Sequence, residues 1–187
     1  MLLIAGMIAG PFYVTVSLLE ILFRDGFDPT RHAWSQLANG DYGWIHSANL
    51  VISGLLVVAG AVGLARATGS RWIGILLSMY GLGMIGSGFF AADPGRGFPE
   101  GTPEVVPISA HGTMHFVLGG IGFLGLIGAC LLMGRRLGLF SYVTGVVFLI
   151  AFVAMAASGG AAWGLLGFTA AVVLASTWLT VTCNHYR

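Results

Sequence analysis

The fold predicted by this chain is an all-α integral membrane bundle of six transmembrane helices, and three observations carry that reading. The 187 residues are 57% hydrophobic and only 8% charged, whereas soluble domains carry about 25% charged residues. The apolar residues gather into six runs, each near the roughly 20 residues that cross a hydrocarbon core. In lipid every backbone polar group must be satisfied within the chain, so these runs form helices despite their many valines and isoleucines.

The elements follow in order. The first span, 2–23, begins "MLLIAGMIAGPFYV"; it lacks a basic start and a clear cleavage site and reads as a retained helix, with Pro11 expected to kink or loosen it. The second, 44–65, opens on Trp44, and the third, 72–92, on Trp72. The fourth, 109–133, follows Pro107 with Ser109 as its cap. The fifth, 138–157, and sixth, 161–182, are joined at Gly159 and Gly160 and should form a tight antiparallel hairpin. Trp163 and Tyr142 near helix starts and Trp178 near an end suit an interfacial aromatic belt. The chain forms one domain, with long loops at 24–43 and 93–108.

Thirty glycines are too many for loops alone. Gly81, Gly83, Gly86 and Gly88 in the third helix, and Gly119, Gly122, Gly125 and Gly128 in the fourth, recur at spacings of two and three, which place several on one face. Small residues there let backbones approach closely, within the chain or against partner helices or a second copy. No repeat relates the first three helices to the last three, so an inverted-repeat transporter is not supported. Cys130 and Cys183 lie inside apolar runs and read as small buried hydrophobes.

The polar residues are distributed unevenly. Arg66, Arg71, Arg135, Arg136 and Arg187 fall on the side of the two termini, which the arginine excess assigns to the cytoplasm. A multi-pass protein of the bacterial cytoplasmic membrane is expected, with the lipid bilayer as its surroundings. With a net charge of +1 and no basic stripe, nucleic acid is not a partner. Every carboxylate, and four of the five histidines, lie at the opposite, outer side.

Within that outer cap, His111 and His115 are four residues apart and share a helix face. Such a pair can ligate one metal ion, zinc being the natural candidate, with Asp93 as third ligand and His46 next. A satisfied structural pair is the other reading of the same spacing. Glu20 lies inside a span, where an ionisable group hints at function, although Arg24 one turn on offers an ion pair. If metal-assisted hydrolysis of a lipid or amphiphile takes place here, Asp41 or Glu20 could take a proton and Ser35 steady an oxyanion. A non-catalytic accessory subunit or a sensor of a lipid or small ligand is the alternative. A haem- or quinone-linked redox protein, using His46 and His111, is a third; no C-x-x-C-H for covalent haem attachment is present.

The stretch "SQLANGDYGWIHSANLVISGL" (Ser35 to Leu55), preceded by "FDPTRHAW" and followed by "ADPGRG" and "HGTMH", resembles the bacterial membrane family called domain of unknown function 998. Gly10-Pro11, Ser35, Gly43, Trp44, Asn49, Asp93, Pro94, His111 and His115 carry the likeness. It implies a six-helix integral membrane protein and brings no established activity. There is a looser likeness to intramembrane zinc hydrolases of the ceramidase and progestin-receptor superfamily, which combine a serine, an aspartate and an H-x-x-x-H pair. Those proteins have seven helices, with the pair on the last.

Overall fold

A computed structural model describes all residues, Met1–Arg187. Six helices dominate it: α1 (Leu2–Phe23), α2 (Gly43–Thr68), α3 (Arg71–Phe89), α4 (Ala110–Leu137), α5 (Leu139–Ala157) and α6 (Ala162–His185). All six are long and apolar enough to cross a membrane. Their outer surfaces carry exposed Leu22, Leu55, Leu82, Leu124, Ile150 and Leu166, the composition a lipid-facing wall requires. One short 3-10 helix, η1 (Trp34–Ala38), lies in the first long loop. The only strand-like feature is an isolated bridge between Gly95 and Phe98.

The helix ends differ from those expected where the apolar run and the hydrogen-bonded run part company. α4 continues four residues past 133 because Arg135 and Arg136 extend its last turn, and Arg136 donates to the Thr68 carbonyl at 2.9 Å. Cations suit a helix C-terminus, whose carbonyls are otherwise unsatisfied. α3 stops at Phe89, short of 92, and Phe90 turns into the second long loop. Pro11 lies within an unbroken α1. Proline cannot donate to the carbonyl one turn back. Thr180 of α6 supplies the missing donor, its hydroxyl bonding the Met7 carbonyl at 2.9 Å.

The principal neighbours of each helix are those before and after it in sequence, and α6 closes the ring on α1. Glycine sets the close approaches. A Cβ on Gly60 would lie 2.6 Å from the Gly6 Cα, and one on Gly83 would lie 2.8 Å from the Gly122 Cα. α5 and α6 form the expected hairpin, with Gly159 and Gly160 at φ 59° and 81° in the left-handed region that favours glycine. α1 and α6 run antiparallel, so both termini share one end of the bundle.

That terminus-side half is solid. Leu64, Ile73, Met133, Trp178 and Cys183 are fully buried there. The Trp178 indole N–H donates to the Ser141 hydroxyl at 2.9 Å. This corrects the interfacial reading of Trp178: a tryptophan with a buried acceptor is a core residue. Trp44, Trp72 and Trp163 are each more than half exposed, as a belt requires.

Candidate functional site

In the loop-side half the ring encloses a cavity of about 130 Å3. All six helices reach it, through Tyr13, Leu50, Met84, Phe123, Phe152 and Phe168. η1 covers it with Trp34 and Ser35. Tyr13, Tyr80 and Met84 separate it from a second void of about 10 Å3 lying deeper in the ring. Phe123 stands at the centre of an aromatic wall, its ring 5.3 Å from each of Phe148, Phe152 and Phe168.

The cavity has one loosely packed side. At the terminus end α4 and α5 are in tight contact: a Cβ on Gly134 would lie 2.6 Å from the Tyr142 ring, and one on Gly145 would lie 3.0 Å from Cys130. Toward the loops, a Cβ on Gly120 would meet nothing nearer than Phe152 at 3.9 Å. Phe116, beside the gap, is 58% exposed on the lipid-facing surface while also lining the cavity.

His115 is placed by the end of α3. Its Nδ1 lies 2.8 Å from the Phe90 carbonyl and 3.3 Å from that of Ser87. These are last-turn carbonyls without helical donors. Carbonyls only accept, so the geometry assigns the ring hydrogen to Nδ1 and leaves Nε2 as an acceptor. His111, one turn nearer solvent, is exposed beside the Phe90 ring. Asp93 belongs to the α4 cap: its carboxylate accepts from the Ser109 N–H at 2.8 Å and from the Ser109 hydroxyl. The Ser109 oxygen in turn accepts from the Gly112 N–H at 3.0 Å, the capping expected of that serine.

A second polar constellation lies near the cavity. Glu20 and His46 are both buried, and a Glu20 oxygen lies 2.8 Å from His46 Nδ1. Arg24 approaches the other oxygen at 3.8 Å and donates to the carbonyls of Leu37 and Asn39, which ties η1 to α1. Glu20 therefore has a firmer partner in His46 than in Arg24, and it does not reach solvent. A carboxylate in the last turn of α1 opposes the helix dipole, and the two neighbours offset that cost. Asn49 extends the network, donating to the Tyr13 carbonyl at 3.1 Å and to Ser17 at 3.2 Å.

The sequence-derived site residues therefore separate. His115 and Ser35 line the cavity, Glu20 and His46 pair beside it, Asp93 caps α4, and His111 and Asp41 are exposed. No three His, Cys, Asp or Glu side chains gather closely enough to hold one metal ion. The two long loops hold together through their own contacts. His32 accepts from the Asp28 N–H at 2.9 Å, and Arg96 donates to the Gly159 and Gly160 carbonyls at the α5–α6 turn. Sequence reasoning passed over Trp34 as a site residue. The signal was present, because Trp34 and Leu37 are large apolar residues three apart in a mostly polar loop.

No curated protein and no solved structure matches this chain. A family model does match, over residues 7–185, nearly the whole chain. The buried Asn49, the Asp93 cap and the cavity histidine His115 are among the residues that carried the resemblance, and the chain belongs to the family described as Protein of unknown function (DUF998).

Proposed function

We propose that the protein is an intramembrane receptor for a small amphiphile, non-catalytic in itself. The polar end of the ligand enters the loop-side cavity and its tail stays in the bilayer between α4 and α5. The observation that carries this reading is the cavity itself: about 130 Å3, walled mainly by apolar side chains from all six helices and capped by η1. An engineered apolar cavity of roughly 150 Å3 accepts benzene, so the space suits a head and a few carbons rather than a whole lipid. The loose α4–α5 seam supports access from the bilayer. The arginine excess at the terminus end supports a cytoplasmic assignment of that end by the positive-inside rule, which would turn the cavity toward the outer leaflet of a bacterial cytoplasmic membrane.

Metal-assisted hydrolysis draws less support. Both oxygens of Asp93 are engaged by Ser109, and His111 is exposed and not part of the cavity wall that His115 joins. A haem held between His46 and His111 is disfavoured because His46 is enclosed and bonded to Glu20, whereas His111 is exposed.

Tryptophan fluorescence tests the receptor reading. In a variant carrying Trp44→Phe, Trp72→Phe and Trp163→Phe, only Trp34 and Trp178 remain. A heavy-atom quencher, 6-bromohexan-1-ol, should quench Trp34 saturably and leave Trp178 bright, with Trp34→Phe giving the Trp178 share. Thr169→Phe, which fills the cavity, should abolish the saturable part. Quenching that rises linearly and is the same in Thr169→Phe would remove the proposal.

A further inference from the structure

We infer that the ligand head is a neutral hydroxyl, so that the cavity selects membrane-dissolved alcohols over ethers, hydrocarbons and charged amphiphiles. This inference rests on the receptor reading above. It comes from what the cavity wall leaves unsatisfied. Trp34 is 7% exposed and lines the cavity, and its indole N–H has no acceptor in the protein. Indole nitrogen can only donate. His115, on the wall as well, has its Nδ1–H committed to the α3 carbonyls, so its Nε2 can only accept.

One spare donor and one spare acceptor therefore sit on residues that line the same apolar space. A hydroxyl answers both, because it donates one hydrogen and accepts on two lone pairs. An ether or ester oxygen answers Trp34 alone, and a hydrocarbon answers neither. The hydroxyls of the lining residues Tyr13, Ser35, Tyr80, Ser87 and Thr169 can turn either way and select for nothing.

Charge gives the second half of the argument. No Asp, Glu, Arg or Lys lines the cavity. The nearby ions, Glu20 and Arg24, close on each other and on His46 and η1. A carboxylate, phosphate or ammonium brought into this space would be desolvated with no counter-ion, which is strongly unfavourable. The head must therefore be polar and uncharged.

Displacement of 6-bromohexan-1-ol, read as recovery of Trp34 fluorescence, tests this. Hexan-1-ol, hexyl methyl ether, hexane and hexanoate are compared at equal concentration within the detergent micelle. Hexan-1-ol should bind about five- to tenfold more tightly than the ether or the alkane, the scale of one satisfied hydrogen bond, and hexanoate should be weakest. His115→Phe keeps a ring in place and removes both nitrogens, and with them the Nε2 acceptor. In that variant the alcohol should fall to the level of the ether, while ether and alkane stay unchanged.

Equal binding of alcohol, ether and alkane by the unsubstituted cavity would overturn the inference while the saturable quenching still upheld the receptor reading. An alcohol preference that survives in His115→Phe would overturn it too. Absence of saturable quenching would be a failure of the receptor reading itself. Should His115→Phe not fold, the ligand series on the chain with His115 in place still decides.

Discussion

The two halves of the bundle are built from the same six helices and differ in almost everything else. The terminus-side half is filled by Leu64, Ile73, Met133 and Trp178, with glycine bringing α1 against α2. The loop-side half holds the cavity, the Glu20–His46 pair and the His115 ring that caps α3. The difference shows where apolar packing alone stabilises the ring and where polar side chains take over, leaving room for a ligand. Interiors normally approach the density of organic crystals, so a hollow half maintained beside a dense one is a specific feature of this ring.

The sharpest way to break that comparison is one substitution made in both halves. Gly60→Leu drives a side chain into the Gly6 backbone, with its Cβ 2.6 Å from the Cα. Overpacking typically costs about 1–3 kcal/mol, and here the obstacle is backbone, so the loss should reach the top of that range. The Cβ of Gly120→Leu meets only Phe152, at 3.9 Å. The substitution should be neutral or slightly stabilising, because glycine is about 1 kcal/mol less favourable than the best residues in a helix, and it should weaken bromohexanol quenching by narrowing the seam. Thermal unfolding in detergent measures both. Equal destabilisation would mean that the α4–α5 seam is as closed as the α1–α2 contact.

Next in size is the buried ion set. Glu20→Ala removes the carboxylate that faces Arg24 and His46, and should cost about 3 kcal/mol as a buried charge loses its partner. In the solid half, Ser141→Ala leaves the Trp178 N–H without an acceptor and should cost about 1–2 kcal/mol. Denaturation of the two variants side by side checks the order. A smaller loss for Glu20→Ala than for Ser141→Ala would refute the claim that polar contacts stabilise the loop-side half.

The smallest expected effect lies in the loops. The Thr30 hydroxyl and N–H donate to the Asp28 carboxylate and hold its pKa below the usual value of 3.8. A depressed carboxylate contributes above its ordinary pKa and loses that contribution as pH falls through the lowered one. The turn should therefore persist in mild acid and open only below that ordinary value, which the Thr30 amide resonance reports. An amide that shifts at or above the ordinary value would contradict the hydrogen bonds.

Much of the architecture was legible because a bilayer allows few solutions: six apolar runs of the right length had to be six helices. Ser109 as the α4 cap, the Gly159–Gly160 turn and the buried cysteines were legible for local reasons. The site was legible in part. Placing His115, Ser35, His46 and Glu20 near one end of the bundle needed only the topology. Pairing Glu20 with His46 was beyond the sequence, because the two are 26 residues apart on different helices and no spacing rule joins them. Asp93 reads from the sequence only as a metal ligand, and its contact with Ser109, 16 residues on, is what makes it part of the α4 cap. Trp178 looked interfacial because a tryptophan near a helix end has two stable environments, and Ser141 on α5 selects the buried one.

The most direct measurement of the central claim is anomalous diffraction from crystals of the protein soaked in 6-bromohexan-1-ol. A bromine peak should appear along the α4–α5 seam, leading out of the cavity between Trp34 and His115, with the hydroxyl end inside. Bromine found only on the outer lipid-facing surface, with the cavity between Trp34, His115 and Phe168 unchanged, would contradict the account.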